Sequence, residues 1–315
     1  MKDLRILFMG TPGFAVHILE EILKQNYNVV GVVTAPDKPA GRGQKVHASA
    51  VKKFALKQNL EIYQPSNLKS DDFQETLKQI NPDVAVVVAF RMLPKKVWDF
   101  PKLGTFNLHA SLLPDYRGAA PINWAIINGE TKTGVTTFFL DEKIDTGKII
   151  LQEEVEIKTA ETAGSLHDKL MQEGAKLVHK TLQLIAENKV EAKAQENDKI
   201  EKHAPKLNAE NTKIDWTKKP EEIHNLVRGL NPYPVAWSYF QNGKKKMRCK
   251  FFSVQPENAV HNHAIGKIFK SKTALKVAVT SGYVSILEMQ MPGKRKMPIK
   301  DILNGLNLEE NSFML

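Results

Sequence analysis

The chain has 315 residues, 42% of them hydrophobic and 25% charged, a balance that excludes extended disorder and leaves room for two domains with separate cores. A single cysteine, Cys249, excludes an internal disulfide and a zinc cluster of paired cysteines, so nothing points to an oxidising compartment and the cytoplasm is expected. The net charge of +10 is unevenly spread: residues 1–200 hold 26 Lys and Arg against 25 Asp and Glu, and residues 201–315 hold 19 against 10. The last third therefore carries the basicity, which suits contact with a polyanion through release of condensed counterions.

In chain order, the opening segment is apolar only over residues 6–9, too short for a secretory core or a bilayer span. It reads as a strand over 4–9. Val16, Leu19, Ile22 and Leu23 repeat at helical spacing, and an apolar run follows at 29–33, which predicts a βαβ unit. Gly10-Thr11-Pro12-Gly13-Phe14 lies between strand and helix. It lacks the G-x-G-x-x-G spacing of a dinucleotide site, so it is expected to be a tight connection beside the active cleft.

Residues 35–48, APDKPAGRGQKVHA, follow the second strand and carry Lys38, Arg42, Lys45 and His47. Two prolines and two glycines make this an exposed cationic arm, placed to reach substrate phosphates. Further strands are expected at 84–89, 104–108 and 135–140, with helices at 68–79, 121–128 and 165–187. Such alternation predicts an α/β domain over 1–187, with a Rossmann-like, mostly parallel sheet. Polar, aperiodic sequence follows as a linker over 188–207. Beyond it a helix at 220–229 and short strands near 239, 247–254, 265–269, 275–279 and 283–287 predict a smaller OB-like β barrel over 208–315.

The segment FNLHASLLPDYRGAAPI over 106–122 carries the chemistry. Strand alternation puts Asn107 and His109 on one face and Leu108 on the other. Taken singly, each has an ordinary structural reading. Together they supply an amide donor and an imidazole, the pair that acyl transfer to an amine needs to stabilise an oxyanion. A second turn, Leu140-Asp141-Glu142-Lys143-Ile144-Asp145-Thr146-Gly147, holds three acids, of which Asp145 is the candidate to orient the imidazole and to move a proton. Turn chemistry alone would also explain an Asp-Thr-Gly sequence.

HASLLPDYRGAAPINWAI followed by IDTGKIILQ resembles the hallmark of the folate-dependent formyltransferases. The likeness extends through LRILFMGTPGFA, VVTAPDKPAGRG, IDW at 214–216 and NPYPVAW at 231–237, and is greatest for the branch that acts on methionyl-tRNA. That resemblance implies a transferase domain at 1–187 and a tRNA-binding domain at 208–315. It implies 10-formyltetrahydrofolate as donor and initiator methionyl-tRNA as acceptor, with no metal and no membrane, in a monomer. Carried over by position, the catalytic set falls on Asn107, His109 and Asp145. The folate-binding positions fall on Ser111, Leu112, Leu113 and Pro114, and the tRNA-binding positions on Arg42 and Lys45. This sequence departs from many members at Phe90-Arg91-Met92-Leu93-Pro94, one residue shorter than their loop. The rival reading is formylation of a small amine, a sugar nucleotide or glycinamide ribonucleotide; the basic last third and the cationic arm argue against it.

Overall fold

A computed structural model describes residues 4–40, 45–196 and 202–315. β1 (Arg5–Gly10), α1 (Gly13–Lys24) and β2 (Asn28–Val33) form the expected βαβ unit, with the two strands parallel. A Cβ at residue 10 would lie 2.6 Å from the Cβ of Ala15. Glycine there lets the strand turn directly into the helix.

Next come β3 (Lys38–Ala40), β4 (Lys45–His47), α2 (Ala50–Lys57), β5 (Ile62–Tyr63), α3 (Asp71–Ile80), β6 (Val84–Val88), α4 (Lys95–Trp98) and β7 (Thr105–His109). They are followed by β8 (Arg117–Gly118), α5 (Pro121–Ile127), β9 (Lys132–Phe139), β10 (Ile149–Glu156), α6 (Ala163–Ala186) and β11 (His203–Ala204). Part of the exposed cationic arm is thus a β ribbon, with β3 and β4 paired antiparallel. Strands of three residues are too short to show a period of two in the sequence.

The chain divides into two compact units, one built from residues 1–118, 133–155 and 168–203, the other from 119–132, 156–167 and 204–315. In the first, seven strands form one sheet in the order β10-β9-β7-β6-β1-β2-β5. Four pairings, β5 with β2, β2 with β1, β1 with β6 and β6 with β7, are parallel, and β7 pairs antiparallel with β9. This is the Rossmann-like, mostly parallel sheet expected. Strand order reverses at β1, with β2 on one side and β6 on the other. Open α/β sheets bind ligands beyond the carboxyl ends of strands at such a reversal, which directs attention to the ends of β1, β6 and β7.

Register decides which side chains face that region. Asn107 pairs with Val87, and Val87 packs in one core with Leu77 of α3 and Val97 of α4. Paired residues share a face, so Asn107, and with it His109, lies on the side of α3 and α4. Leu108 lies on the other side, beneath α6, where a Cβ at Gly174 would meet its Cδ2 at 2.8 Å. Thr137, paired with Leu108, shares a 2.8 Å hydrogen bond with Thr181 of α6.

The second unit adds α7 (Pro220–Gly229), β12 (Ala236–Asn242), β13 (Lys245–Asn258), β14 (Ile268–Lys270), β15 (Leu275–Val279), β16 (Gly282–Gln290), β17 (Met297–Pro298), α8 (Ile299–Leu303) and β18 (Phe313–Met314). Strand order is β14-β15-β16-β13-β12-β18, and a bridge from Lys267 to Phe313 ties its two edges into a nearly closed antiparallel barrel. β13 is longer than its apolar run suggested because register shifts near Ser253 let one strand bend around the barrel. Inside, Trp216 meets Phe251 edge-on at 5.7 Å and donates its indole N–H to Ser238 Oγ at 2.8 Å. Among the described residues no helix is long and apolar enough to cross a membrane.

Candidate active site

His109 ends β7 and is 7% exposed. One ring nitrogen, Nε2, lies 2.9 Å from the carbonyl oxygen of Tyr116. A carbonyl only accepts, so Nε2 carries a proton and donates it. Nδ1 is the remaining nitrogen, and it faces Asp145 Oδ2 at 3.9 Å. That gap exceeds a hydrogen bond, so the nitrogen is aimed at the carboxylate without being committed to it. Asn107 stands two residues earlier on the same face, partly buried, and its amide has no hydrogen-bond partner among the described residues. A donor left open beside an imidazole is what a developing oxyanion requires.

Among the three acids of the 141–147 turn, geometry separates the roles. Asp141 Oδ1 accepts from Lys143 N–H at 3.0 Å and from Thr146 Oγ at 2.6 Å, closing the turn. Glu142 pairs with Lys95 at 3.1 Å on the surface. Asp145 alone of the three faces His109, and Gly118 N–H donates to its Oδ2 at 3.0 Å. Asp145 has φ +55°, a left-handed conformation that Asp tolerates better than most residues.

The loop proposed for folate is held from below. Thr136, opposite His109 in β9, donates its hydroxyl to Ser111 O at 2.7 Å and accepts from Leu113 N–H at 3.2 Å. Gln152 of β10 donates to Leu113 O at 2.8 Å and to Thr136 Oγ1 at 3.0 Å. Ser111 is buried with its hydroxyl given to Asp115 O at 2.7 Å, and Leu113 is buried as well. A ligand here would therefore meet the backbone of 111–114 and the partly buried Leu112 and Pro114. Thr136 and Gln152 escaped the sequence reading: β10 shows no clean burial alternation, Gln152, Glu153 and Glu154 all being exposed.

Gln195, in the polar stretch read as linker, donates to the carbonyls of Asp145 at 3.0 Å and Gly147 at 2.8 Å, and accepts from Arg117. Burial pushes the Arg117 guanidinium below its ordinary pKa, opposed by the carboxylates of Asp145 and Asp141. The loop after β6 uses Arg91 as a strut, its guanidinium donating to the carbonyls of Ser66 and Pro65 while it lies 5.7 Å from the Phe90 ring centre. Met92 beside it is 72% exposed, and Leu93 packs into the core. Among the described residues no cluster of His, Cys, Asp or Glu is arranged to hold a metal ion.

Of the two cationic candidates, Lys45 begins β4, and Arg42 lies outside the described residues. In the barrel, β12 and β13 pair Trp237 with Lys250, Tyr239 with Arg248 and Gln241 with Lys246. Arg248 sits 3.8 Å above the Trp237 ring and Lys246 4.4 Å above that of Tyr239. Cations interleaved with aromatic faces suit a nucleic acid surface. The basic run Lys294-Arg295-Lys296 follows a turn, with Lys294 N–H bonded to Met291 O at 3.1 Å and Lys296 paired with Glu288 at 2.6 Å.

Residues 4–182 match the formyl transferase family, and residues 206–307 match the formyl transferase C-terminal domain. The chain is 54% identical to the methionyl-tRNA formyltransferase of Flavobacterium johnsoniae over 312 residues, 99% of each chain. It is 47% identical to that of Bacteroides thetaiotaomicron over 318 residues, again 99% of each. In fold it is similar to an N-formyltransferase from Helicobacter canadensis solved with folinic acid and dTDP-3-aminofucose, at TM-score 0.66 and 24% identity, covering 93% of this chain and 100% of that one. HypX from Aquifex aeolicus, solved with tetrahydrofolic acid, gives TM-score 0.65 at 18% identity, covering 100% of this chain and 51% of that one. Those identities speak for the fold alone, whereas matches to the sequence over nearly the whole length speak for the family. The chain belongs to the formyl transferase family, among its methionyl-tRNA formyltransferases.

Proposed function

We propose that this chain transfers the formyl group of 10-formyltetrahydrofolate to the α-amine of initiator methionyl-tRNA, with Asn107, His109 and Asp145 as the catalytic set. The observation that supports it most is the open Asn107 amide beside an imidazole whose free nitrogen, Nδ1, faces Asp145 at 3.9 Å. The amine attacks the formyl carbon. The carbonyl oxygen takes the negative charge and receives hydrogen bonds from the Asn107 amide and from Nδ1–H of His109, which acts as an imidazolium beside the Asp145 carboxylate and keeps its Nε2–H anchored on Tyr116 O. Asp145 relays the proton lost by the attacking nitrogen to the folate N10, whose bond to the formyl carbon breaks as the tetrahedral intermediate collapses. The products are N-formylmethionyl-tRNA and tetrahydrofolate.

In this reading residues 1–187 carry the transfer, with the backbone of 111–114 against the folate, and residues 208–315 hold the tRNA across a polar linker, 188–207. The arm with Arg42 and Lys45 reaches the acceptor end. The reaction belongs in the cytoplasm, where both substrates are met, and one chain carries the whole set. The test is transfer of labelled formyl to methionyl-tRNA, run beside uncharged tRNA, free methionine, a sugar-nucleotide amine and glycinamide ribonucleotide. Label on methionyl-tRNA alone is expected; label on a sugar-nucleotide amine or glycinamide ribonucleotide instead would replace the acceptor.

The tRNA phosphates set a second expectation. Neutralising Arg42, or Lys244, Lys245 and Lys246 together, weakens tRNA binding at every salt concentration and lowers the slope of log K against log salt by about one for each phosphate left without its cation. A slope equal to that of the parent protein would place the phosphates elsewhere.

A further inference from the structure

The polar stretch after α6 carries a buried amide. Lys193 forms an antiparallel bridge with Ile149 at the start of β10, both of its backbone bonds measuring 2.8 Å. Two residues on, Gln195 is 8% exposed. Its Nε2 donates to Asp145 O at 3.0 Å and to Gly147 O at 2.8 Å, and its Oε1 accepts from Arg117 Nε at 3.2 Å and Nη2 at 2.5 Å. A primary amide has two N–H donors and two lone pairs, and this one uses all of them. Buried polar groups satisfied in this way specify a single arrangement of the segments they join.

Those segments are the ones that fix Asp145. On one side, Gln195 bonds the backbone carbonyl of Asp145 itself, at the residue held in the left-handed conformation. On the other, Arg117 precedes Gly118, whose N–H holds the Asp145 carboxylate at 3.0 Å. Among the described residues Gln195 hydrogen-bonds neither His109 nor the carboxylate, so its effect on the reaction passes through the position of Asp145.

We infer that Gln195 is a positioning residue for formyl transfer, a clamp that sets the Asp145 carboxylate against Nδ1 of His109; this rests on the role given to Asp145 above. Gln195→Met keeps length and volume and removes every hydrogen bond. Gln195→Glu keeps the acceptor for Arg117 and loses both donors, and a thermal melt of each reports whether it folds. Displacement of a catalytic group by about an ångström can cost on the order of 10²-fold in rate, so each variant is expected to lower kcat by roughly 10- to 100-fold with KM for both substrates changed less than about twofold.

The deciding measurement combines Gln195→Met with Asp145→Asn under single-turnover conditions. If Gln195 acts through the carboxylate, the Met substitution costs nothing further once that carboxylate is gone. A full additional loss in the double variant, or unchanged kcat in both single Gln195 variants while Asp145→Asn is impaired, overturns the clamp and leaves the catalytic set standing. Normal turnover in Asp145→Asn alone overturns the catalytic reading and the clamp with it.

Discussion

Asp145→Asn lowers kcat by about 10²- to 10⁴-fold while the Kd for methionyl-tRNA stays within about twofold, the range that a lost general acid–base group supplies. The variant isolates charge from shape. An Asn side chain retains an oxygen to accept from Gly118 N–H, and asparagine tolerates the φ of +55° that this position requires. Gln195 bonds the backbone carbonyl and is indifferent to the change. What disappears is the negative charge 3.9 Å from Nδ1 of His109 and the only proton acceptor of this turn that faces the ring. Single-turnover formyl transfer measures the rate and filter binding measures the affinity. Turnover close to the parent's would take Asp145 out of the proton path and leave it a turn residue.

That choice among acids shows where the sequence stops being legible. The period of two in FNLHA puts Asn107 and His109 on one face, and the register with β6 and β9 agrees with it. The sheet itself was readable because each buried strand is a run of apolar residues between helical patterns: Val84–Val88 is buried at every position. In the barrel, α7 over Pro220–Gly229 and β15 over Leu275–Val279 stand where their apolar patterns and flanking turn residues put them.

Asp141, Glu142 and Asp145, by contrast, are equivalent in a string of letters. They differ only through partners that the turn brings to them: Lys143 and Thr146 for the first, Lys95 for the second, His109 and Gly118 for the third. Gln195 was hidden for the same reason. It lies in an aperiodic polar segment, and one bridge to Ile149, formed between residues far apart in sequence, turns it from a linker residue into a buried partner of the turn. Pattern reports which face a residue occupies, and long-range hydrogen bonds decide what it does there.

Gly147→Ala is expected to damage both activity and stability, for a reason the Asp-Thr-Gly motif does not state. Glycine here does not supply a positive φ; it supplies room. A Cβ at residue 147 would lie 1.7 Å from the carbonyl oxygen of Phe139 and 2.8 Å from its carbon. Both are backbone atoms at the end of β9, and they cannot swing away cheaply, since Phe139 pairs with Phe106 in the sheet and donates its N–H to Lys148 O at 3.0 Å. Relief must come from the turn. It would carry with it the Gly147 carbonyl that Gln195 holds at 2.8 Å and Asp145 two residues upstream. Overpacking of this kind costs about 1–3 kcal/mol, and displacement of the carboxylate by an ångström costs on the order of 10² in kcat. Gly305→Ala is the control, because a Cβ there meets nothing within 4 Å. A low kcat with an unchanged melt means that only the turn has moved, whereas losses in both mean that the end of β9 has moved with it. Parent-like behaviour in both measurements would show that the close approach to Phe139 does not hold Asp145 in place.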